Sequence, residues 1–270
     1  MTILITGAAH GIGYAAALAL AKQQHSVIAT DKTLGLLQPL QHEAETLGLQ
    51  LQYDQLDITQ PIEWHKASAW PVDVFIANAA IGESGPLIEL PLDRFRHLWE
   101  TNVVGTLGLC QVVGQRLIKQ RHGRIIIVGS TAGLVAIPTL GPYNMTKFAL
   151  EAATDALRME LKQFNIFVSL IEPGKIDTGF NQKMTATKYT WLNARSAYAE
   201  QIKNMQQGDA RFFANEYPVA VVTKGIIHAV EAKRPHHRYI TPPQVGLSII
   251  LARWLPQRLR DWILLRLFHL

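Results

Sequence analysis

Two residues in the second half of the chain, Tyr143 and Lys147, have the types and spacing of a proton-transfer pair. They stand at i and i+4, and on a helix these positions share a face. A free tyrosine has a pKa of about 10, too high for a base at neutral pH, and a nearby cation favours the phenolate and lowers that pKa. The pair therefore predicts a general acid/base, although the spacing alone also fits two surface residues.

A glycine-rich segment near the N-terminus has the form of a phosphate cradle. Gly7, Gly11 and Gly13 follow a short apolar run at 2–6 and open a segment of helical Ala/Leu spacing. Glycine lets the backbone turn sharply and approach a pyrophosphate without a Cβ in the way. The helix N-terminus then offers free N–H groups to the phosphates. The alternative is a simple strand-to-helix turn.

An acidic residue at the end of the second predicted strand supports the dinucleotide interpretation. Asp31 lies 18 residues beyond Gly13, and a carboxylate about 20 residues after the loop accepts hydrogen bonds from the ribose hydroxyls of the cofactor. It would also repel a 2′-phosphate, which favours NAD over NADP. His10 and Lys32 could instead face such a phosphate, so NADP stays open as the alternative. Asp31 could also be a helix N-cap or turn residue.

Strands and helices alternate along the chain around these residues. Near-continuous apolar runs between helical segments are typical of a parallel sheet buried on both faces. Such βαβ units, with right-handed crossovers, predict an α/β protein with a doubly wound, Rossmann-type parallel sheet in a single domain. Strands are predicted at 2–6, 26–30, 49–53, 72–77, 124–128, 166–171 and 238–241. Helices are predicted at 11–23, 34–47, 91–119, 142–164 and 217–231.

Length and composition fit one globular domain. A chain of 270 residues can bury a full core. A single cysteine, Cys110, excludes an internal disulfide and fits a reducing compartment. Met1 begins no signal peptide, so a cytoplasmic location is expected, with membrane association as the alternative. The net charge of +5 is scattered along the chain, so no nucleic-acid binding is predicted. No His/Cys group has zinc spacing, so no metal site is predicted.

Further motifs, in the same order, give the chain a resemblance to the short-chain dehydrogenase/reductase family. The glycine segment looks like the family's cofactor loop, and Leu-Asp-Ile at 56–58 looks like the segment that holds the adenine. Asn102 stands in Thr-Asn-Val-Val-Gly, as in the family's central helix. Ser130 lies in Gly-Ser-Thr-Ala-Gly, thirteen residues before Tyr143. Pro-Gly-Lys-Ile-Asp-Thr at 173–178 looks like the segment that closes over the nicotinamide.

The resemblance implies an oxidoreductase that moves hydride between nicotinamide and an alcohol or carbonyl compound. Tyr143 would donate or remove the hydroxyl proton, and Ser130 would hydrogen-bond the same oxygen. Lys147 would lower the pKa of Tyr143 and hold the nicotinamide ribose, and Asn102 would help to bind a water linking Lys147 to solvent. The cofactor contacts predicted from the motifs are Gly7, His10, Gly11, Ile12, Gly13, Asp31, Asp57, Asn78, Tyr143, Lys147, Ile176 and Thr178.

Several of these residues also have a structural alternative. Asn102 could cap or kink its helix, Ser130 could end a strand, Asp57 could cap the following helix, and Thr178 could be a loop hydroxyl. The chain departs from the family at 77–80, where Ala-Asn-Ala-Ala replaces the usual Asn-Asn-Ala-Gly. This departure puts the local fit of the cofactor in question.

The last stretch, 247–270, is apolar and contains arginines, and we treat it as a C-terminal segment of the domain whose main part is 1–246. Pro256 should divide it into two short helices. A basic amphipathic helix can lie on an anionic membrane surface, pack over a substrate pocket or enter a subunit interface. We expect this end, with the aromatic loop at 180–213, to enclose a lipophilic substrate. The resemblance allows retinoid, steroid or acyl-chain substrates.

The resemblance also suggests a homodimer or homotetramer, assembled through the helices at 91–119 and 142–164. Three other functions compete with an NAD-dependent dehydrogenase. They are an NADPH-dependent ketone reductase on the same scaffold, a regulator that senses NAD(H) without turnover, and a membrane-associated scaffold with a vestigial catalytic set. The complete set Asn102, Ser130, Tyr143 and Lys147 argues against the regulator, because a sensor does not need an acid/base.

Overall fold

The structure of the protein is a computed structural model that describes residues 1–268, apart from the side chains of residues 247, 250, 253, 267 and 268. Its strands are β1 (Thr2–Thr6), β2 (Ser26–Asp31), β3 (Leu51–Gln55), β4 (Val74–Ala77), β5 (Gly123–Val128), β6 (Ile166–Pro173) and β7 (Arg238–Thr241). They form one sheet in the order β3-β2-β1-β4-β5-β6-β7, and every neighbouring pair is parallel. The predicted doubly wound, Rossmann-type parallel sheet in a single domain is confirmed.

Helices cover both faces of this sheet. They are α1 (Gly11–Lys22), α2 (Gln38–Thr46), α3 (Pro61–Ala69), α4 (Leu92–Trp99), α5 (Thr106–Gln120), α6 (Gly141–Leu161), α7 (Phe180–Ala186), α8 (Ile202–Phe212), α9 (Ala220–Glu231), α10 (Pro243–Trp254) and α11 (Gln257–Phe268). Short 3-10 turns occur at Leu34–Leu37, Thr131–Gly133, Lys162–Phe164, Thr187–Thr190 and Ala199–Gln201.

Two apolar cores follow from the alternation of side chains along the strands. In β1, Ile3 and Ile5 point to a core shared with α1, α2 and α9. Leu4 points to the opposite core, shared with α3, α5 and α6. Since successive strand residues face opposite sides, an uninterrupted apolar strand is the expected sequence of a sheet covered on both faces.

Most predicted elements differ from the structure by a few residues at their ends, and two differences have a clear physical cause. The third strand begins at Leu51 rather than at Leu49, because the N–H of Leu49 donates to the carbonyl of Ala44 at 2.8 Å and closes the end of α2. The long helix predicted at 91–119 is divided, since the π-helical segment Glu100–Gly105 lies between α4 and α5. This wider turn contains one of the predicted catalytic residues.

The C-terminal segment forms two helices, α10 and α11, separated near Pro256 as predicted. Residues 269 and 270 of that predicted segment lie outside the described residues. Over residues 1–268, no helix combines the length and the apolar character that crossing a bilayer requires.

Candidate active site

The carboxyl ends of the central strands open onto a cavity of about 720 Å³. Ligands of open α/β sheets bind in the crevice at this edge, and the volume is typical of a small-molecule site. The predicted residues that line it are Gly7, His10, Gly11, Ile12, Asp31, Asp57, Asn78, Ser130, Tyr143, Lys147, Ile176 and Thr178. Two predicted residues, Gly13 and Asn102, are not part of the lining.

The glycine loop is shaped by close backbone contacts. Gly7 has a φ of +67°, and a Cβ on it would lie 2.7 Å from the Cα of Ala79. A Cβ on Gly13 would lie 2.3 Å from the carbonyl oxygen of Gly7. The Nδ2 of Asn78 donates to the carbonyls of Thr6 and Gly7, at 3.0 and 2.9 Å. The loop therefore leaves an open cradle before α1, which fits a pyrophosphate group.

Asp31 lies at the end of β2 and also anchors this loop. Its Oδ2 accepts a hydrogen bond from the N–H of Ala9 at 3.2 Å, and its Oδ1 accepts one from the N–H of Lys32 at 2.9 Å. Asp31, Lys32 and His10 all line the cavity. A carboxylate and two basic side chains are thus available there, so the residues present fit either a ribose 2′-hydroxyl or a 2′-phosphate.

Ser130, Tyr143 and Lys147 come together at the carboxyl end of β5. Tyr143 is buried and forms a side-chain hydrogen bond with Ser130. The Oγ of Ser130 also accepts the N–H of Ala132 at 3.1 Å, and its hydroxyl donates to the carbonyl of Pro173 at 3.4 Å. The Nζ of Lys147 lies 5.6 Å from the centroid of the Tyr143 ring and donates to the carbonyl of Val128 at 3.0 Å.

Burial dominates the pKa values of this cluster. The pKa of Tyr143 is raised because the phenol is buried, and the hydrogen bond with Ser130 lowers it only in part. Burial lowers the pKa of Lys147 to about 8, against the opposing charge of Glu151. Burial of the phenol therefore opposes the lowering of the Tyr143 pKa that is expected from Lys147, and that effect of Lys147 stays a prediction.

Asn102 lies in the π-helical segment and acts as a brace behind the cavity. Its Oδ1 accepts the N–H of Ile81 at 2.9 Å, and its Nδ2 donates to the carbonyl of Ile81 at 2.9 Å and to Oγ1 of Thr146 at 3.2 Å. Both the oxygen and the nitrogen of the Asn102 side-chain amide are therefore hydrogen-bonded within the protein. Its predicted contact with a water stays a prediction.

Asp57 and Thr178 line the cavity while they make local contacts. The Oδ1 of Asp57 accepts from the N–H and the hydroxyl of Thr59, at 2.9 and 2.8 Å. This is a turn contact and not the helix cap considered as the alternative, because the N-cap of α3 is Gln60. The Oγ1 of Thr178 donates to the carbonyl of Ile176 at 3.4 Å. A Cβ on Gly11 would lie 3.0 Å from the Cβ of Thr178. The 173–178 segment therefore packs directly on the glycine loop.

The unusual alanines at 77–80 do not distort the backbone. In the described part of the chain, positive φ outside glycine occurs at Gln24, Arg121, Thr139 and Asn165. Ala80 therefore has a conformation that any residue can adopt.

An apolar wall stands beside Tyr143. The ring of Phe180 lies 5.7 Å from the Tyr143 ring. Ile137, Leu140, Phe180, Met184 and Phe213 line the cavity and pack around Tyr143. Three of these residues come from the aromatic loop at 180–213, which therefore lines the cavity.

The C-terminal segment has a different place from the one predicted. Among the described side chains, the lining of the cavity includes none after Phe213. Helix α11 packs against α8, and α10 packs against β7. The described part of the segment therefore packs behind elements that line the cavity, and its predicted contact with a substrate stays a prediction.

Sequence analysis did not single out three charged residues next to the site. Glu151 follows Lys147 by one helical turn, Glu172 precedes Pro173, and Arg238 joins both. The available signal was the glutamate inside the apolar run of β6, since charged residues are almost never fully buried unless paired.

Comparisons with known proteins agree with this geometry. A family model for the short chain dehydrogenase matches residues 1–189. Human retinol dehydrogenase 8 is 36% identical over 192 residues, which cover 68% of this chain and 62% of that protein. The 3-ketodihydrosphingosine reductase of Bacteroides thetaiotaomicron is 28% identical over 269 residues, which cover 99% of this chain and 97% of that protein.

The fold has a close match among solved structures. A short-chain dehydrogenase/reductase from Burkholderia phymatum, in complex with NAD, superposes with a TM-score of 0.80. The match covers 93% of this chain and 92% of that one at 21% identity. The chain thus spans less than two thirds of the length of the human relative, whereas its match with the Bacteroides reductase extends over almost the whole of both proteins.

Proposed function

The chain belongs to the short-chain dehydrogenase family, and from this premise we propose that it is an NAD(P)-dependent oxidoreductase acting between an alcohol and its carbonyl partner. The observation that carries the proposal is the cluster of Ser130, Tyr143 and Lys147. It opens on the same cavity as the glycine cradle. A proton-transfer group and a dinucleotide site in one cavity are what hydride transfer to or from a carbinol carbon requires.

The residues of the cavity would hold the cofactor along its length. The glycine loop would offer N–H groups to the pyrophosphate, Asp31 would accept from the adenosine ribose, and Asp57 would contact the adenine. Lys147 would hold the nicotinamide ribose, and Ile176 would contact the nicotinamide. When bound, the nicotinamide supplies or accepts the hydride at its C4.

The proton moves through Tyr143. In alcohol oxidation its Oη takes the hydroxyl proton, and in carbonyl reduction it returns the proton to the same oxygen. Ser130 would turn its hydroxyl from the carbonyl of Pro173 to donate to that oxygen, and Lys147 would favour the phenolate that oxidation needs. Because burial raises the pKa of Tyr143, the site by itself favours the protonated phenol, the form that donates during reduction.

The substrate that fits this cavity is lipophilic. The wall next to Tyr143 is formed by Ile137, Leu140, Phe180, Met184 and Phe213. Burial of apolar substrate surface against such a wall contributes roughly 25 cal/mol per Å². A long or bulky apolar group attached to the reacting carbon is therefore expected.

A second candidate is an NADPH-dependent ketone reductase on the same scaffold. Lys32 and His10 line the cavity beside Asp31 and could face a 2′-phosphate. The raised pKa of Tyr143 favours proton donation. The similarity to the 3-ketodihydrosphingosine reductase extends over 99% of this chain, and a long-chain ketone would fit the apolar wall.

The first experiment is a fluorescence titration of the purified protein with NADH and with NADPH, followed by hydride-transfer assays on lipophilic alcohols and ketones. We expect one cofactor to bind at least tenfold more tightly, about 1.4 kcal/mol. We expect Tyr143→Phe to keep that affinity while kcat/KM falls about 10²–10⁴-fold. Cofactor binding without turnover of any substrate would favour the NAD(H)-sensing alternative. Binding of neither cofactor would contradict the proposal.

We also propose that the C-terminal segment touches membrane surfaces. Leu251, Trp254 and Trp262 are exposed, with Trp254 at 85%, and the guanidinium of Arg266 lies 4.4 Å from the Trp262 ring. Tryptophan and arginine together are typical of interfacial helices on anionic lipid. Co-sedimentation with phosphatidylserine vesicles should weaken in Trp254→Gln but not in Ile62→Gln, an equally exposed apolar position on α3.

A homodimer or homotetramer is the assembly that we propose. Leu92 on α4 and Met145, Phe148 and Met159 on α6 are exposed on the two predicted interface helices. Light scattering should give a molar mass that is a multiple of the chain mass. Phe148→Glu should reduce this molar mass, and Ile62→Glu should not. A monomer at micromolar concentration would contradict this assembly.

A further inference from the structure

A second group of titratable side chains lies directly behind the catalytic cluster. Glu151 belongs to α6, one turn after Lys147, and Glu172 belongs to β6, immediately before Pro173. The Glu172 side chain is 0% exposed and that of Glu151 is 12% exposed. Arg238, from β7, reaches both of them. The group therefore joins three elements that surround the cavity.

One guanidinium nitrogen serves both glutamates. Nη1 of Arg238 donates to Oε2 of Glu151 and, at 3.3 Å, to Oε1 of Glu172. The remaining oxygens, Oε1 of Glu151 and Oε2 of Glu172, are buried, and neither has a donor among the described residues. Because the same Nη1 lies within hydrogen-bond distance of both carboxyl groups, the two groups are side by side.

Two such carboxylates side by side cannot both stay ionised at low cost, because their charges repel and burial removes most of their hydration. A single proton between them removes the repulsion. It also supplies the donor that the two unpaired oxygens lack. Burial raises the pKa values of both groups, and the charge of Glu151 raises that of Glu172 further, which makes Glu172 the donor.

We propose that Glu151 and Glu172 share one proton at neutral pH and form a positioning pair that ties the helix of the catalytic residues to the strand entering the 173–178 segment. The pair lies between two parts of the site. Glu151 acts on Lys147 through its charge. Glu172 fixes the start of Pro173, whose carbonyl lies 3.4 Å from Oγ of Ser130.

The other charged groups near the two glutamates have partners of their own. Nη2 of Arg238 is occupied by Oδ2 of Asp155 at 2.9 Å, and Arg158 donates to the other oxygen of that carboxylate at 3.2 Å. Lys147 directs its Nζ to the carbonyl of Val128. Arg238 is therefore the one cation in direct contact with both glutamates in the described part of the chain.

The test that does not depend on activity is a 13C NMR titration of the glutamate carboxyls in the protein without cofactor or substrate. We expect one glutamate signal to titrate well above the ordinary value of about 4.3. That signal should disappear in Glu172→Gln, which keeps an N–H donor for Glu151 but cannot titrate. It should remain in Glu160→Gln, an exposed glutamate on the same helix. Titration of every glutamate in the ordinary range would overturn the proposal.

Thermal unfolding gives a second, signed readout. A carboxyl whose folded pKa is raised stabilises the fold at low pH, and that contribution is lost as pH rises from the unfolded value toward the folded one. The Glu172→Gln variant does not have this loss. Its Tm minus that of the wild type should therefore increase as the pH rises from acid to alkaline. A difference in Tm that is independent of pH would count against the shared proton.

The positioning role rests on the proposed function and is measured separately. Glu172→Gln should keep kcat/KM at pH 7 near the wild-type value, whereas Glu172→Leu, which has no donor, should lose about tenfold or more, equivalent to about 1.4 kcal/mol. Equal loss in both variants would refute the positioning role. If the shifted NMR titration is observed but no hydride transfer occurs in any form of the protein, the proposed function fails while the shared proton stands.

Discussion

Asn102 and Ile81 are joined by two hydrogen bonds of 2.9 Å, in which the asparagine amide pairs with both the N–H and the carbonyl of the isoleucine. The amide thus binds the loop after β4 in the way that a neighbouring strand would. This pairing fixes the π-helical segment against the back of the cavity. The role of Asn102 seen in the structure is therefore mechanical.

The first prediction concerns this brace. Asn102→Ala leaves the polar groups of Ile81 without partners, which costs about 2 kcal/mol and should lower Tm by roughly 4–8 °C in a chain of this size. Asn193→Ala, in an exposed loop, should leave Tm unchanged. Differential scanning calorimetry checks both variants. An Asn102→Ala protein with wild-type Tm and reduced kcat would favour the water-binding role over the brace.

The parts of the site that sequence reasoning found depend on local geometry. Tyr143 and Lys147 are neighbours because four residues along a helix return to the same face, and the glycine loop is read from a strand followed directly by a helix. The order of the parallel sheet follows from the same alternation of elements. These features can be predicted from residues that are close together in the sequence.

The parts that it missed depend on partners distant in sequence. Asn102 pairs with a loop 21 residues earlier, and Arg238 reaches Glu151 across 87 residues. The sequence also does not reveal how deeply the phenol of Tyr143 is buried, and this burial raises its pKa. The number of residues between charged groups does not indicate how much water remains around them.

The second prediction is a pH dependence set by Lys147. Burial lowers its pKa to about 8, so the ammonium becomes an amine as pH rises through that value, and its hydrogen bond to a ribose weakens. Fluorescence titration of the preferred cofactor should show affinity falling above about pH 8. Lys147→Met should bind weakly at every pH, and Lys162→Met, exposed at the end of α6, should behave as the wild type. An affinity independent of pH in the wild type would exclude this role for Lys147.

The same shift has a consequence for stability. Because the folded pKa of Lys147 is below its unfolded value, the folded protein releases this proton first. The contribution of Lys147 to the free energy of unfolding therefore rises with pH between about 8 and the ordinary lysine value of about 10.4. Urea unfolding across this interval should show the free energy of unfolding of the wild type rising relative to that of Lys147→Met.

The third prediction concerns Asp31 and the choice of cofactor. Asp31→Asn keeps an oxygen for the N–H of Ala9 and removes the negative charge. The ratio of NADPH to NADH affinity should therefore rise by tenfold or more, about 1.4 kcal/mol. Asp54→Asn is the matched control, since Asp54 lies on the adjacent strand β3 and does not line the cavity. An unchanged ratio in Asp31→Asn would mean that Lys32 and His10 govern the choice.

The fourth prediction tests the glycine cradle itself. In Gly13→Ala the new Cβ would meet the carbonyl oxygen of Gly7 at 2.3 Å and Nδ2 of Asn78 at 2.5 Å, so the loop must move. Both cofactors should then bind at least about tenfold more weakly, with overpacking lowering stability by about 1–3 kcal/mol. Gly35→Ala is the control, because its Cβ would enter open space. Isothermal titration calorimetry measures the cofactor affinity of both variants. If Gly13→Ala and Gly35→Ala bind the cofactors equally well, the close approach of Gly7 and Gly13 does not form the phosphate site. The pyrophosphate must then bind elsewhere in the cavity.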